Sequence, residues 1–367
     1  MPYLQEPEIG NTLRYARSDH GIPIPRPTAD SSLGVVSACK SCHAEKSEQA
    51  LDTQAATWWG KLKPRAAGID AAFKLTSVTD RAQAARLVLD AKQPHTAALF
   101  AGMSEFAERF LSADMIDLES DVIDRLDALG NHRDPDVRAL ALASLHYAAG
   151  KRTNVRNRLA NHLRTLGSEE PLVRARWTVT LGFFADAQRG KGDPIGGAAT
   201  YRKAIEIEPN NPRLQLNLGV ALAEGGDFAG AIPSYRASLA LNRAQPLALV
   251  NLGIAQSASG DKQGAIESYL AATRLNAREA LAWFNLGNVY FEQGKLAEAE
   301  DGYRKAAEID PTLSLAHFYF ARALAKRGDL PRALKEVEAG LEFDPKNEEA
   351  LGVRDQLRRA TGNRTPP

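Results

Sequence analysis

Residues 281–303 read Leu281-Ala282-Trp283-Phe284-Asn285-Leu286-Gly287-Asn288-Val289-Tyr290-Phe291-Glu292, then Gln293-Gly294-Lys295-Leu296-Ala297-Glu298-Ala299-Glu300-Asp301-Gly302-Tyr303, with Pro311 beyond. The pattern recurs along the chain. Leu218-Gly219, Leu252-Gly253 and Leu286-Gly287 stand 34 residues apart, as do Tyr201, Tyr235, Tyr269 and Tyr303. Ala231, Ala265, Ala299 and Ala333 keep the same step, and so do Pro311 and Pro345. The small Gly and Ala let two helices approach closely, and the tyrosine is expected to fill the space between units. A period of this length marks stacked supersecondary units, each burying its neighbour's apolar face.

The 34-residue step, with Leu-Gly, Ala, an aromatic residue and Pro at these offsets, resembles the tetratricopeptide repeat, a pair of antiparallel helices. Within residues 177–347 four units fall at 212–245, 246–279, 280–313 and 314–347, with a degenerate one at 178–211. Residues 348–361, in the closing segment 348–367, read as a polar-faced capping helix, because a solenoid end otherwise exposes an apolar face. The Gly190-Lys191-Gly192 and Gly196-Gly197 cluster falls at a turn between repeat helices with Pro194 inside it, which discounts a phosphate loop.

Asn217, Asn251 and Asn285 recur at one position of the first helix of each unit. In the tetratricopeptide fold that helix faces a concave groove. A primary amide both donates and accepts, so a row of them can hold the backbone of an extended peptide without reading its sequence. The row resembles the asparagine ladder of some tetratricopeptide proteins; the alternative is that Asn-Leu-Gly merely serves helix packing. Leu216, Val250, Phe284 and Phe318 adjoin it, where a carboxylate clamp would need lysines, so the expected protein partner is extended and partly apolar.

Residues 71–176 carry apolar positions three and four apart, for instance Val122, Leu126 and Leu129, and predict amphipathic helices throughout. Pro135-Asp136-Val137-Arg138 and Pro171-Leu172-Val173-Arg174 repeat at an offset of 36. Proline at a helix start followed by Val and Arg resembles HEAT-type repeats. The histidines His95, His132, His146 and His162 have no metal-like spacing and read as surface or satisfied interior groups. Lys151, Arg152, Arg156, Arg158 and Arg164 form a basic cluster that reads as a solvated helix face.

Residues 1–70 form a proline-rich, largely irregular segment around Cys39-Lys40-Ser41-Cys42-His43, which holds both cysteines of the chain. This is the spacing of covalent c-type haem attachment: two thiols one helical turn apart add to the porphyrin vinyl groups, and His43 is delivered to the iron. A zinc site is the weaker reading, because a closed site wants four ligands and no second pair completes one. A helix is predicted from near Ser37 through Glu45 to Trp58 and Trp59. The tryptophans either pack on the porphyrin or plug a domain junction. His20 is the candidate second iron ligand, while Met103 and Met115 read as core.

Asp19-His20, the Ile22-Pro23-Ile24-Pro25 run and Ala38 through Lys46 resemble the last haem segment of exported bacterial multihaem cytochromes c that continue into helical repeats. Met1-Pro2-Tyr3 is similar to the junction after an earlier haem site in that family. The resemblance implies that the chain is the downstream portion of such a protein, and it equally places His20 on an upstream haem. Haem of this kind is attached after export, which implies a periplasmic or other extracytoplasmic location, although the first twenty residues lack a signal pattern.

Across 367 residues the 46 basic and 45 acidic side chains nearly cancel, which excludes the one-signed field of a nucleic-acid or membrane-surface binder. No apolar run is long enough to span a bilayer. No Ser/His/Asp set or nucleotide loop supports side-chain catalysis. The expected fold is all-α: a short cytochrome c-type haem segment followed by a solenoid of HEAT-like and tetratricopeptide helix pairs. The expected function is electron transfer through haem c iron to a redox partner, docked by the repeats; the alternative is a haem-free scaffold for protein binding.

Overall fold

The computed structural model describes residues 43–59, 77–166 and 170–362, together with residues 28, 31, 40, 71, 74 and 75 singly. Among the described residues there are 17 helices and no strand. The chain divides into two compact units, residues 1–184 with 206–208, and residues 185–205 with 209–367.

The first unit opens on α1, Glu48–Trp59. The helix predicted to run unbroken through Glu45 is interrupted there: Lys40 is helical, residues 43–47 are not, and α1 starts after Ser47, whose Oγ accepts the Ala50 N–H at 3.2 Å. Ahead of the cap, His43–Lys46 is a turn closed by the Lys46 N–H on the His43 carbonyl, 3.1 Å. There follow α2 (Arg81–Val88), α3 (Thr96–Phe110), α4 (Ser120–Leu129), α5 (Pro135–Ala149), α6 (Thr153–Thr165) and α7 (Glu170–Gly190), within which the division falls. On α4 the buried residues are Val122, Ile123, Leu126 and Leu129, the stripe that their spacing predicts. Helix α5 is buried nearly all round and packs against α3, α4 and α6, so it is the core of this unit.

Pro135 and Pro171 both stand in the first turn of their helices. At Pro135 the preceding Asp134 carboxylate accepts the N–H groups of Asp136 and Val137. The basic cluster departs from a plain solvated face. Arg152 donates to the carbonyls of Leu118 and Met115, both at 2.9 Å, Lys151 pairs with Asp114, and Arg158 bridges Asp124 and Asp127. These cations tie α6 and its approach to α4 and the turn before it. Met103 is buried as expected, and Met115 half-buried.

The second unit takes the end of α7 and α8 (Pro194–Ile207), then helix pairs at the 34-residue step. These are α9 (Pro212–Glu224) with α10 (Phe228–Leu241), α11 (Pro246–Ala258) with α12 (Lys262–Leu275), α13 (Ala280–Glu292) with α14 (Leu296–Ile309), and α15 (Ser314–Lys326) with α16 (Leu330–Phe343). Gly226 and Gly260 make the turn inside their pairs at φ +83° and +89°, a conformation that a side chain resists. Asp227 and Asp261 then cap the second helices by accepting the N–H groups of Gly230 and Gly264.

The tyrosines sit differently from the expectation. A Cβ added at Gly219 would stand 2.5 Å from the Tyr235 ring, and one at Gly253 would stand 2.5 Å from Tyr269. Each ring therefore occupies the hole left by the glycine of its own unit, rather than only the gap between units. Tyr303 does both, lying against Gly287 and packing on Tyr319 of the next unit with ring centroids 5.8 Å apart. In the fourth pair the positions carry Ala321 and Val337, both fully buried: a larger residue on one helix is matched by a smaller one on the other.

Helix α17 (Glu348–Ala360) stands in first-helix register, 34 residues after α15. It buries Ala350 and Leu357 and turns Glu348, Glu349 and Arg359 outward, the polar-faced form expected of a cap. First helices of successive pairs touch one another more than second helices do. The array therefore curves with α9, α11, α13 and α15 on its inner side.

Candidate peptide-binding face

Asn217, Asn251 and Asn285 lie half-buried on α9, α11 and α13. None of the three side-chain amides has a hydrogen-bond partner among the described residues. Other asparagines are committed: Asn288 accepts the Tyr303 hydroxyl at 2.9 Å, and Asn211 and Asn347 cap helices. None of their amide atoms is among the buried polar atoms that lack a partner, so the three amides reach solvent and are open to a ligand.

Four residues before each of two of these asparagines, and once more in the fourth unit, stands an exposed leucine: Leu247 (56% exposed), Leu281 (46%) and Leu315 (44%). Three residues after the asparagines come Val220, Ile254 and Asn288. Positions i, i+4 and i+7 share one helix face, so the inner side carries an apolar row beside an amide row. Val250, Phe284 and Phe318 do not line this face as expected, while Leu216 is half-buried. Val250 and Phe318 are buried core, and Phe284 packs between Tyr303 and Tyr319. One residue along a helix is a 100° rotation, which turns these side chains from the inner face into the seam between units.

The same 34-residue step continues onto α15 as Tyr319, Arg322 and Lys326. Arg322 lies over Tyr319, Phe318 and Phe291 at 5.2, 5.5 and 5.7 Å from the ring centroids, and Lys326 lies 4.4 Å from that of Phe291. A cavity of about 250 Å³ opens there, lined by Arg322, Lys326, Val353 and Gln356 among others. The face thus passes from amide and apolar to cationic and aromatic toward α17. Following the step from Asn285, Asn288 and Glu292 onto these three residues is the sequence signal that finds it.

The tyrosine phenols are structural groups. Burial, with the Asp186 hydrogen bond second, pushes Tyr201 up to about 12, and burial pushes Tyr235 up to about 12. They stay protonated at neutral pH and supply no acid or base there.

Cys39, Cys42 and His20 lie outside the described residues. His43 is described: its side chain is 51% exposed, with Nδ1 3.7 Å from Glu45 Oε1. Lys40 Nζ donates to the carbonyls of Ala44 and Lys46, at 2.8 and 2.6 Å, across the same turn. No group of three or more His, Cys, Asp or Glu side chains placed to hold a metal ion occurs among the described residues. His162 pairs with Asp127 at 2.8 Å, His146 lies beside Trp177, His132 Nδ1 accepts the Asp134 N–H, and His95 is exposed.

Tetratricopeptide-repeat family models match residues 184–246, 250–314 and 290–357. The chain carries tetratricopeptide repeats. Among solved structures, the MamA protein is 30% identical over 47% of this chain and 94% of that one, with a TM-score of 0.42. PilF of Pseudomonas aeruginosa is 19% identical over 52% of this chain and 86% of that one, with a TM-score of 0.47. YrrB, described as a tetratricopeptide protein with an unusual peptide-binding site, is 18% identical over 48% and 92%, with a TM-score of 0.41. No curated protein matches the chain. The tetratricopeptide array is a scaffold for protein interaction, and among the described residues no helix is long and apolar enough to cross a membrane.

Proposed function

We propose that the inner face of the tetratricopeptide array binds an extended segment of a partner protein. Asn217, Asn251 and Asn285 hold its backbone, while Leu247, Leu281 and Leu315 receive apolar side chains. The observation that carries this is the row of half-buried amides with no hydrogen-bond partner among the described residues. Packed helices lie about 10 Å apart, which is about three residues of extended chain, so one amide serves every third peptide unit.

Peptides selected from a displayed random library against the whole chain provide the probe, and fluorescence anisotropy the affinity. Each amide contributes about 0.5–1.5 kcal/mol, so Asn217→Ala, Asn251→Ala and Asn285→Ala together weaken binding about 10-fold to 1000-fold. Equal affinity in a variant with unchanged circular dichroism refutes the assignment.

The Cys39-Lys40-Ser41-Cys42-His43 spacing supports a second proposal: covalent haem c attachment through Cys39 and Cys42 in an extracytoplasmic compartment. His43, with its exposed imidazole, is the candidate proximal ligand, and His20 the candidate for the sixth position. Bound haem supplies one-electron exchange with a redox partner. Export alongside haem-maturation machinery should give a red chain with one haem mass added, and Cys39→Ala with Cys42→Ala a colourless one. A bare chain mass in the matured wild type leaves the scaffold function alone. For the helices from α2 to the start of α7 we retain the HEAT-type resemblance as a proposal, supported by proline at the starts of α5 and α7.

A further inference from the structure

A second apolar surface lies away from the amide row. Between α10, α11 and α12 a cavity of about 320 Å³ is lined by Leu239, Arg243, Leu249, Ala271, Arg274 and Leu275. Arg243 and Arg274 are exposed and form no ion pair among the described residues. The notch is particular to this junction. One unit on, Leu249 is replaced by the larger Trp283, whose ring is covered by Lys305 with Nζ 4.1 Å from its centroid. A further unit on, the position is His317, bound to Glu336 at 3.0 Å. The 34-residue step also replaces Arg243 by Ala277 and then Pro311, and Arg274 by Glu308 and then Glu342.

The complement of the notch is on the same chain. At the end of α16, Phe343 is 49% exposed, with Glu342 before it and Asp344 after it. Glu342 is exposed and forms no salt bridge among the described residues. Glu342-Phe343 stands two units along from Arg274-Leu275 in the same register, so one array carries a basic apolar notch and an acidic aromatic knob.

We propose that the chain associates with a second copy of itself, Phe343 of one copy seated among Leu239, Leu249 and Leu275 of the other. Glu342 then faces the two guanidiniums of Arg243 and Arg274. The two surfaces differ, so the contact is heterologous: each copy keeps a free notch and a free knob, and growth continues with concentration rather than stopping at a closed dimer. A contact centred on one aromatic residue and a charge cluster is small, so it is weak and salt-sensitive.

The test is sedimentation velocity of the full chain from about 5 µM to about 500 µM, a range that brackets a weak contact. The weight-average sedimentation coefficient is expected to rise with concentration and to fall back in high salt. Glu342→Arg sets like charges across the contact, Arg274→Glu cancels the positive charge of the notch, and Phe343→Ser removes the knob, so each remains monomeric throughout. An equimolar mixture of Arg274→Glu and Glu342→Arg restores the native contact between Glu342 of the first and the arginine pair of the second, and so associates again at least pairwise. All three positions are exposed, and circular dichroism verifies that the helices persist. A wild-type chain that is monomeric over the whole range, association unchanged by Arg274→Glu, or a mixture that stays monomeric overturns the proposal.

Discussion

Gly253→Ala tests the packing rule that builds the array. The new Cβ stands 2.5, 2.8 and 2.9 Å from Cε1, Cδ1 and Cζ of Tyr269. Carbon atoms in contact prefer about 3.5–4.0 Å, so ring or helix must move by about 1 Å. Tyr269 is buried among Val250, Ala265, Ala272 and Leu286 and has little room to retreat. Alanine in a helix interior gains about 1 kcal/mol over glycine, and overpacking costs about 1–3 kcal/mol, so the substitution is expected to lose up to about 2 kcal/mol. Tyr269→Val alone leaves a hole and loses about 2–4 kcal/mol. Combined, the two reproduce the Ala321 and Val337 pair of the fourth unit, and their joint cost should fall short of the sum by about 1–3 kcal/mol. Urea unfolding followed by circular dichroism measures all four corners of the cycle. Additivity within about 0.5 kcal/mol, or Gly253→Ala more stable than wild type, refutes the argument.

Alkaline pH should weaken the array through the buried phenols. Tyr201 and Tyr235 are raised from 10.0 to about 12, and Tyr269 and Tyr303 are raised also, burial being the first cause in each. Below the unfolded value neither state ionises and the contribution is intact; above it the unfolded chain releases protons first, and stability falls as pH climbs toward the folded values. The urea midpoint should drop between about pH 8 and about pH 11, and an unchanged midpoint contradicts this. Arg189→Lys should lower the midpoint modestly, because a lysine cannot reproduce the forked bonds of Arg189 to Glu224, 2.7 and 2.6 Å, which join α7 to α9. Partial exposure of Glu224 limits the loss to about 0.5–1 kcal/mol, and a salt titration should remove part of the difference from wild type.

What the sequence determines by itself is whatever repeats or acts locally. The helix starts at Pro135, Pro212 and Pro246, the turn at Gly226 and the polar cap after Asn347 follow from rules that reach no further than one helical turn, and the 34-residue step is read by laying the chain against itself. The Cys39-Lys40-Ser41-Cys42-His43 spacing is legible as chemistry in the same way, although Cys39 and Cys42 lie outside the described residues. Tertiary structure alone decided which side of each helix is used. Val250 and Asn251 are neighbours in sequence, yet one is sealed in the core while the other presents an amide that solvent can reach, because the packing of the next helix pair selects between them. The same holds for the tyrosines, whose holes are glycines 16 residues earlier, and for Arg152, whose partners are carbonyls 34 and 37 residues upstream. Periodicity fixes the direction of a side chain around its own helix, but only the facing element fixes whether that direction ends in protein or in solvent.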